Sequence, residues 1–120
     1  MRKLVFIFTL FVGIVISQIP FISEVEAADY YVGTSNTTER DCYLMTDTIR
    51  EIRHYSDGGR FFARLKMVRS AYDIQYLDYE LEISTSGLSF SNSEGYYGQV
   101  TEYGTPIEYN MCQYIWQSYL

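Results

Sequence analysis

Two cysteines and a single histidine are the side chains with the most chemical potential in this sequence. A reactive thiol needs a basic neighbour or a helix N-terminus to lower its pKa, and a histidine base needs a nucleophile or carboxylate at a suitable spacing. Cys42 follows the acidic Asp41, and Cys112 lies inside a predicted helix. His54 lies beside Asp57 at a predicted turn, where a solvent-exposed hairpin residue is the favoured interpretation. The sequence therefore predicts no catalytic residue.

The two cysteines favour a structural role. In an exported chain, two cysteines most simply form one intramolecular disulfide. A bond between Cys42 and Cys112 would close a loop of about 70 residues and stabilise the fold by roughly 4 kcal/mol. Two free thiols, or one thiol bonded to a partner, stay open as alternatives. A small thiol-dependent or hydrolytic enzyme that uses Cys42, Cys112 or His54 is the second functional hypothesis.

Three carboxylates, Asp78, Glu80 and Glu82, alternate along one predicted strand. Side chains two residues apart on a strand are roughly 7 Å from each other, whereas calcium ligands lie about 2.3 to 2.6 Å from one ion. Arg60 and Arg64 on the preceding strand are expected to pair with this row. Zinc needs about four nitrogen or sulfur ligands, and the cysteines and histidine provide too few. We predict no metal and no cofactor.

Tyrosine is unusually frequent, with 13 residues against a single tryptophan. Tyrosine favours half-buried strand positions, and this interpretation is favoured for most of them. Exposed tyrosines on loops can instead form a recognition surface. Four tyrosines lie among glycines near the start of the predicted helix: Tyr96, Tyr97, Tyr103 and Tyr109. They predict either a surface that binds sugars or peptides or a lid over the core, and the lid is the favoured alternative.

The elements that position these residues are mostly strands. Residues 60–69 and 73–84 both alternate between apolar and polar side chains, which predicts a hairpin that turns at residues 70–72. A register slipped by one residue would place acids on the apolar face. The register that satisfies both faces pairs Leu65 with Leu77, Ala63 with Tyr79, Phe61 with Leu81, Arg64 with Asp78 and Arg60 with Glu82.

Further strands are predicted at residues 29–33, 42–46 and 49–55, and a second hairpin at residues 88–91 and 96–101. Asp57, Gly58 and Gly59 predict a tight turn, because aspartate and glycine tolerate positive φ. Thr105 to Glu108 matches a capping box with proline at the first helical position, and helical spacing continues to the C-terminus. The fold class is therefore α+β, with about five to seven short antiparallel strands and one C-terminal helix packed on the sheet.

The first 27 residues predict a secretory signal peptide. Arg2 and Lys3 are followed by an uncharged apolar run over residues 4–16, and Val25 and Ala27 place small side chains before a cleavage site. The run is too short to cross a hydrocarbon core of about 30 Å, although an uncleaved anchor stays an alternative. Residues 28–120 are then a single small domain, secreted or periplasmic, with no stable membrane span after cleavage.

The net charge of −6 opposes binding to phosphate backbones, so nucleic acid is not an expected partner. Export and the absence of a catalytic motif favour a non-enzymatic domain of the cell envelope. Its expected partner is an envelope protein or glycan.

Three strings in the chain resemble those of uncharacterised small exported proteins from anaerobic, Gram-negative-staining Firmicutes. They are DCYLMTDTIREI (residues 41–52), ARLKMV (residues 63–68) and TPIEYNM (residues 105–111). This resemblance covers most of the chain after the signal peptide. It implies a location in the envelope and carries no activity or site residues. A second resemblance, to surface-adhesin E-type domains, lies in a tyrosine-rich strand after a signal peptide, followed by alternating strands.

Overall fold

The computed structural model describes residues 29–120, which form an antiparallel sheet and one helix. The elements are β1 (Asp29–Thr34), β2 (Asp41–Tyr55), β3 (Gly58–Ser70), β4 (Asp73–Ser84), β5 (Gly87–Asn92), β6 (Tyr97–Gln99) and α1 (Pro106–Tyr119). The six strands follow one another in the sheet in chain order. This architecture confirms the predicted α+β class with a single C-terminal helix. The predicted signal peptide lies outside the described residues.

The central hairpin of β3 and β4 has the predicted register. All five predicted pairs are present, from Arg60 opposite Glu82 to Leu65 opposite Leu77. The turn differs from the prediction, because Ser70 pairs with Asp73 and leaves a two-residue turn. The third residue is absorbed by an irregularity between Val68 and Ser70. A bulge of this kind accommodates one extra residue without reversing the faces of the strands, so a glycine is not needed in the turn.

Strand β2 is a single long strand where the sequence indicated two. It is interrupted between Met45, which pairs with Arg64, and Arg50, which pairs with Phe62. At the interruption, the Thr48 hydroxyl accepts a hydrogen bond from the Arg64 amide at 2.9 Å and donates one to the Met45 carbonyl at 2.6 Å. The side chain thus replaces part of the backbone ladder, which lets the strand continue past the polar residues that suggested a break.

Gly58 and Gly59 do not form the tight turn that the sequence predicted. Tyr55 pairs with Gly58, so the turn residues are those between them and both glycines belong to β3. Neither glycine has a positive φ. A Cβ atom at Gly58 would lie 1.8 Å from the Ile83 carbonyl oxygen, and one at Gly59 would lie 2.9 Å from the Glu51 carboxylate. Close approach of the neighbouring strands requires these glycines.

The helix begins where the sequence predicted, with Pro106 in its first turn, but the capping box is not formed. The Thr105 hydroxyl makes no capping bond within the helix. It accepts a hydrogen bond from the Thr101 amide at 2.8 Å instead. The Glu108 carboxylate accepts a hydrogen bond from the Tyr79 hydroxyl. Tertiary partners therefore occupy both side chains that would have formed the box.

The core lies between one face of the sheet and the helix. Helix α1 packs on β1 and β4, and the Asn110 side-chain amide donates to the Val32 carbonyl at 2.8 Å. Burial of each large apolar side chain in this layer contributes about 1.5 to 3 kcal/mol. The buried residues are Val32, Cys42, Leu44, Ile49, Phe61, Ala63, Leu65, Leu77, Tyr79, Leu81, Ile83, Val100, Met111, Cys112 and Ile115.

The opposite face of the sheet carries charged side chains. Arg64 pairs with Asp78 at 2.7 Å and Arg60 pairs with Glu82 at 2.8 Å, as the register predicted. The Arg64 guanidinium holds the pKa of Asp78 below its usual range. One face is thus a row of ion pairs and the other is the core, as the alternation of the sequence requires.

Candidate binding cleft

The helix leaves part of the apolar sheet face uncovered, and a cleft of about 360 Å³ opens there. Its floor consists of side chains from β2 to β5, and one wall is the segment that joins β1 to β2. The other walls are the turn between β5 and β6 and the first turn of α1. The lining residues are Ser35, Thr37, Thr38, Cys42, Leu65, Met67, Gln75, Leu77, Tyr79, Phe90, Asn92, Glu94, Tyr96, Tyr97, Ile107 and Glu108.

The structure brings together two of the four tyrosines that the sequence proposed as a binding surface. Tyr96 and Tyr97 line the cleft and are 65% and 78% exposed. The Asn92 side chain accepts hydrogen bonds from the amides of Glu94 and Tyr96, both at 3.1 Å, and this fixes the turn that carries the two rings. Both rings are exposed to solvent at the cleft and do not cover the core.

The other two tyrosines lie elsewhere. Tyr103 is 91% exposed in the segment before α1 and does not line the cleft. Tyr109 is partly buried against the core, where its hydroxyl accepts a hydrogen bond from Gln113 at 2.9 Å. The alternative prediction of a lid over the core therefore describes Tyr109 alone.

A hydrogen bond between Tyr79 and Glu108 lies in the cleft. The Tyr79 hydroxyl donates to Glu108 Oε2 at 2.6 Å, and the tyrosine is only 3% exposed. Burial, followed by the charge of Glu108, raises the pKa of Tyr79 above its ordinary value, so the phenol stays protonated and donates. Sequence reasoning missed this pair, although Tyr79 stands on the apolar face of its strand, where a phenol needs a polar partner.

The segment that joins β1 to β2 forms a polar wall. The Ser35 amide donates to the Arg40 carbonyl at 2.9 Å, and this closes the segment into a tight loop. Thr38 lines the cleft, and its hydroxyl is buried without a hydrogen-bond partner among residues 29–120. Arg40 turns away from the cleft to pair with Asp73 at 2.8 Å. The wall therefore presents hydroxyl groups to the cleft, and the guanidinium group of Arg40 is not among the groups that line it.

The predicted disulfide is absent from the structure. Cys42 and Cys112 are both unbonded and only 1% exposed. They line different cavities: Cys42 lies in the cleft, whereas Cys112 borders a cavity of about 450 Å³ beside Trp116. The Cys42 thiol donates instead to the Arg40 carbonyl at 3.6 Å. Both cysteines are therefore buried core residues that keep free thiols, and the predicted cross-link is not formed.

Both thiols are poorly suited to nucleophilic chemistry. Burial raises the pKa of Cys42, and burial together with the charge of Glu108 raises the pKa of Cys112 to about 12. At neutral pH each sulfur is therefore a thiol, whereas the thiolate is the nucleophile that a thiol-dependent enzyme uses. His54 is exposed, and its Nδ1 atom lies 3.0 Å from the Glu51 carboxylate. His54 borders a different cavity from either cysteine, and its hydrogen-bond partner is a surface carboxylate.

Neither metal coordination nor membrane crossing is indicated by the described part of the chain. Among residues 29–120, no group of histidine, cysteine, aspartate or glutamate side chains is arranged to hold a metal ion. Within the same range, no helix combines the length and the apolar character needed to cross a membrane. No protein-family model, curated protein or solved structure matches the chain.

Proposed function

We propose that this protein is a secreted or periplasmic domain of the cell envelope that binds a protein or glycan and catalyses no reaction. The observation that carries the proposal is the open cleft on the apolar sheet face, with Tyr96 and Tyr97 exposed at its side. Ligand sites are typically concave, largely apolar and equipped with a few polar groups, in volumes of about 300 to 1,000 Å³. The cleft has these properties.

The composition of the cleft supports binding. Leu65, Met67 and Leu77 offer an apolar floor, while Gln75 provides an amide group that can hydrogen-bond a ligand. Tyrosine side chains supply a large contact area with little loss of conformational entropy, which is why they are frequent in recognition surfaces. A ligand that covers the two exposed rings removes apolar surface from water, and this contributes to affinity.

The location rests on the N-terminal sequence. The basic start, apolar run and small-residue exit within residues 1–27 support export, and the resemblance to small exported proteins supports an envelope location. Cleavage after Ala27 would leave a domain that begins just before β1. An intact mass of the natural protein tests this directly, because a product that still begins at Met1 contradicts export with cleavage.

Binding is tested with immobilised protein that is exposed to solubilised envelope proteins and to a glycan array. We expect a retained ligand whose affinity falls at least about tenfold in Tyr97→Ala, or about 1.4 kcal/mol. Tyr72→Ala is the matched control, because Tyr72 is 99% exposed in the turn between β3 and β4 and does not line the cleft. Equal binding by both variants would place the ligand elsewhere, and no retained ligand in either screen would contradict the proposal.

A further inference from the structure

We infer that the cleft accepts a lysine side chain from an extended segment of a partner protein. This inference rests on the proposed function and names its ligand. Two carboxylates, Glu94 and Glu108, line the cleft, and no lysine, arginine or histidine among the described residues does so. The rest of the lining is neutral, and the chain carries a net charge of −6. Charge complementarity therefore favours a cationic group.

Glu108 is the residue that marks the position of this charge. Other shielded carboxylates of the domain have a cation beside them: Asp29 pairs with Lys66, and Asp73 pairs with Arg40. Glu108 is half-buried as well, yet the only partner of its carboxylate within residues 29–120 is the neutral Tyr79 hydroxyl. The start of α1 contributes a partial charge of about +0.5, which the full negative charge of Glu108 exceeds.

The free acceptor geometry favours an ammonium group over a guanidinium group. The Tyr79 hydroxyl already uses one acceptor site of Glu108 Oε2, so Oε1 is the oxygen with both of its acceptor sites left for a ligand. Arginine pairs most strongly when its planar fork meets both oxygens of a carboxylate, whereas the ammonium group of lysine acts as a compact point charge. A carboxylate that already accepts the Tyr79 hydrogen bond is less open to the paired fork of arginine, and this favours lysine.

The remaining walls match the rest of a lysine side chain. Its methylene stem is apolar, and the floor at Leu65, Met67 and Leu77 is apolar too. The exposed rings of Tyr96 and Tyr97 offer aromatic faces, which attract an ammonium group through their quadrupole. The cleft thus combines an apolar floor, aromatic rings and a half-buried carboxylate with no cation beside it, as an amphipathic cation requires.

The test is a titration of the purified protein with four capped pentapeptides, followed by chemical-shift changes of its backbone amides. The peptides share the frame Gly-Gly-X-Gly-Gly, with lysine, Nε-acetyllysine, norleucine or arginine at X. We expect the lysine peptide to bind at least about tenfold more tightly than the norleucine and acetyllysine peptides, which keep the stem but lack the charge. The arginine peptide should bind more weakly than the lysine peptide.

The same titration is repeated with two charge-matched variants. Glu108→Gln keeps the length of the side chain and can still accept the Tyr79 hydrogen bond, so we expect a folded protein that has lost the preference for lysine over norleucine. Glu102→Gln removes one charge from an exposed residue outside the cleft and should keep that preference. An unchanged preference in Glu108→Gln, or equal loss in both variants, would overturn the inference.

Failure of this inference and failure of the proposed function give different results. If envelope ligands are retained through Tyr97 while no lysine peptide shifts the cleft resonances, the cleft binds another chemistry and only the inference falls. If neither the envelope ligands nor the peptides bind at the cleft, both proposals fall together.

Discussion

The Gly58→Ala substitution is the sharpest test of the packing between β3 and β4. The added Cβ atom would lie 1.8 Å from the Ile83 carbonyl oxygen and 2.8 Å from the Ser84 Cα atom, and both are backbone atoms that cannot rotate away. Relief therefore requires the two strands to separate at this end of the hairpin. Overpacking inside a protein costs about 1 to 3 kcal/mol, and here we expect the upper part of that range or more.

Equilibrium unfolding in urea measures this loss, and thermal unfolding should show a fall in Tm of about 4 to 8 °C for each kcal/mol. Gly98→Ala is the matched control, because its Cβ atom would meet only the Phe90 ring at 3.9 Å. It should change the free energy of unfolding by a few tenths of a kcal/mol. Equal stability of the two variants would contradict the close approach of β3 to β4 at Gly58.

Three further predictions concern the polar groups. Tyr79→Phe should lower the free energy of unfolding in urea by about 1.5 to 3 kcal/mol, because a half-buried carboxylate loses its donor, whereas Tyr55→Phe should cost less, because its partner Glu82 keeps the Arg60 ion pair. A double-mutant cycle of Arg60 and Glu82 should give a coupling of about 0.2 to 1 kcal/mol that vanishes in 1 M salt, and a coupling that salt leaves intact would contradict the exposed pair. The pKa of Cys112 is raised in the folded state, so its protonated thiol contributes stability below pH about 8.5, and this contribution is lost as the pH rises towards 12. The fall in the free energy of unfolding at alkaline pH, measured in urea, should therefore be shallower in Cys112→Ala.

The sequence predicted the central sheet well because two independent patterns constrained it. The apolar face needs Leu65 opposite Leu77, and the charged face needs Arg64 opposite Asp78, and only one register meets both conditions. The turn chemistry was the weaker guide. The local sequence places Gly58 and Gly59 in a turn, whereas the structure uses Gly58 for close packing against β4, a requirement that does not show in the local sequence.

The site could be predicted only in part. The glycine-rich surroundings of Tyr96 and Tyr97 indicate a surface position, but the separation of these two residues from Tyr103 and Tyr109 depends on how the chain turns before the helix. The local spacing of Glu108 predicts a capping box. Its true partner, Tyr79, is 29 residues away in the sequence, so only the packing of α1 on the sheet brings the two together.

The order of the strands determines how this domain can assemble as it is made. Because β1 to β6 pair strictly with their neighbours in the chain, each hairpin can close as soon as its second strand has emerged, with short loops and a small entropic penalty. The helix is the exception, since it returns from the C-terminus to pack on the first strand. A growing chain can therefore complete the sheet while its apolar face is still exposed to water, until the residues of the helix are added. Chains that stop before residue 106 should be vulnerable to aggregation and proteolysis, because they lack the helix residues Met111, Cys112 and Ile115 that cover the core.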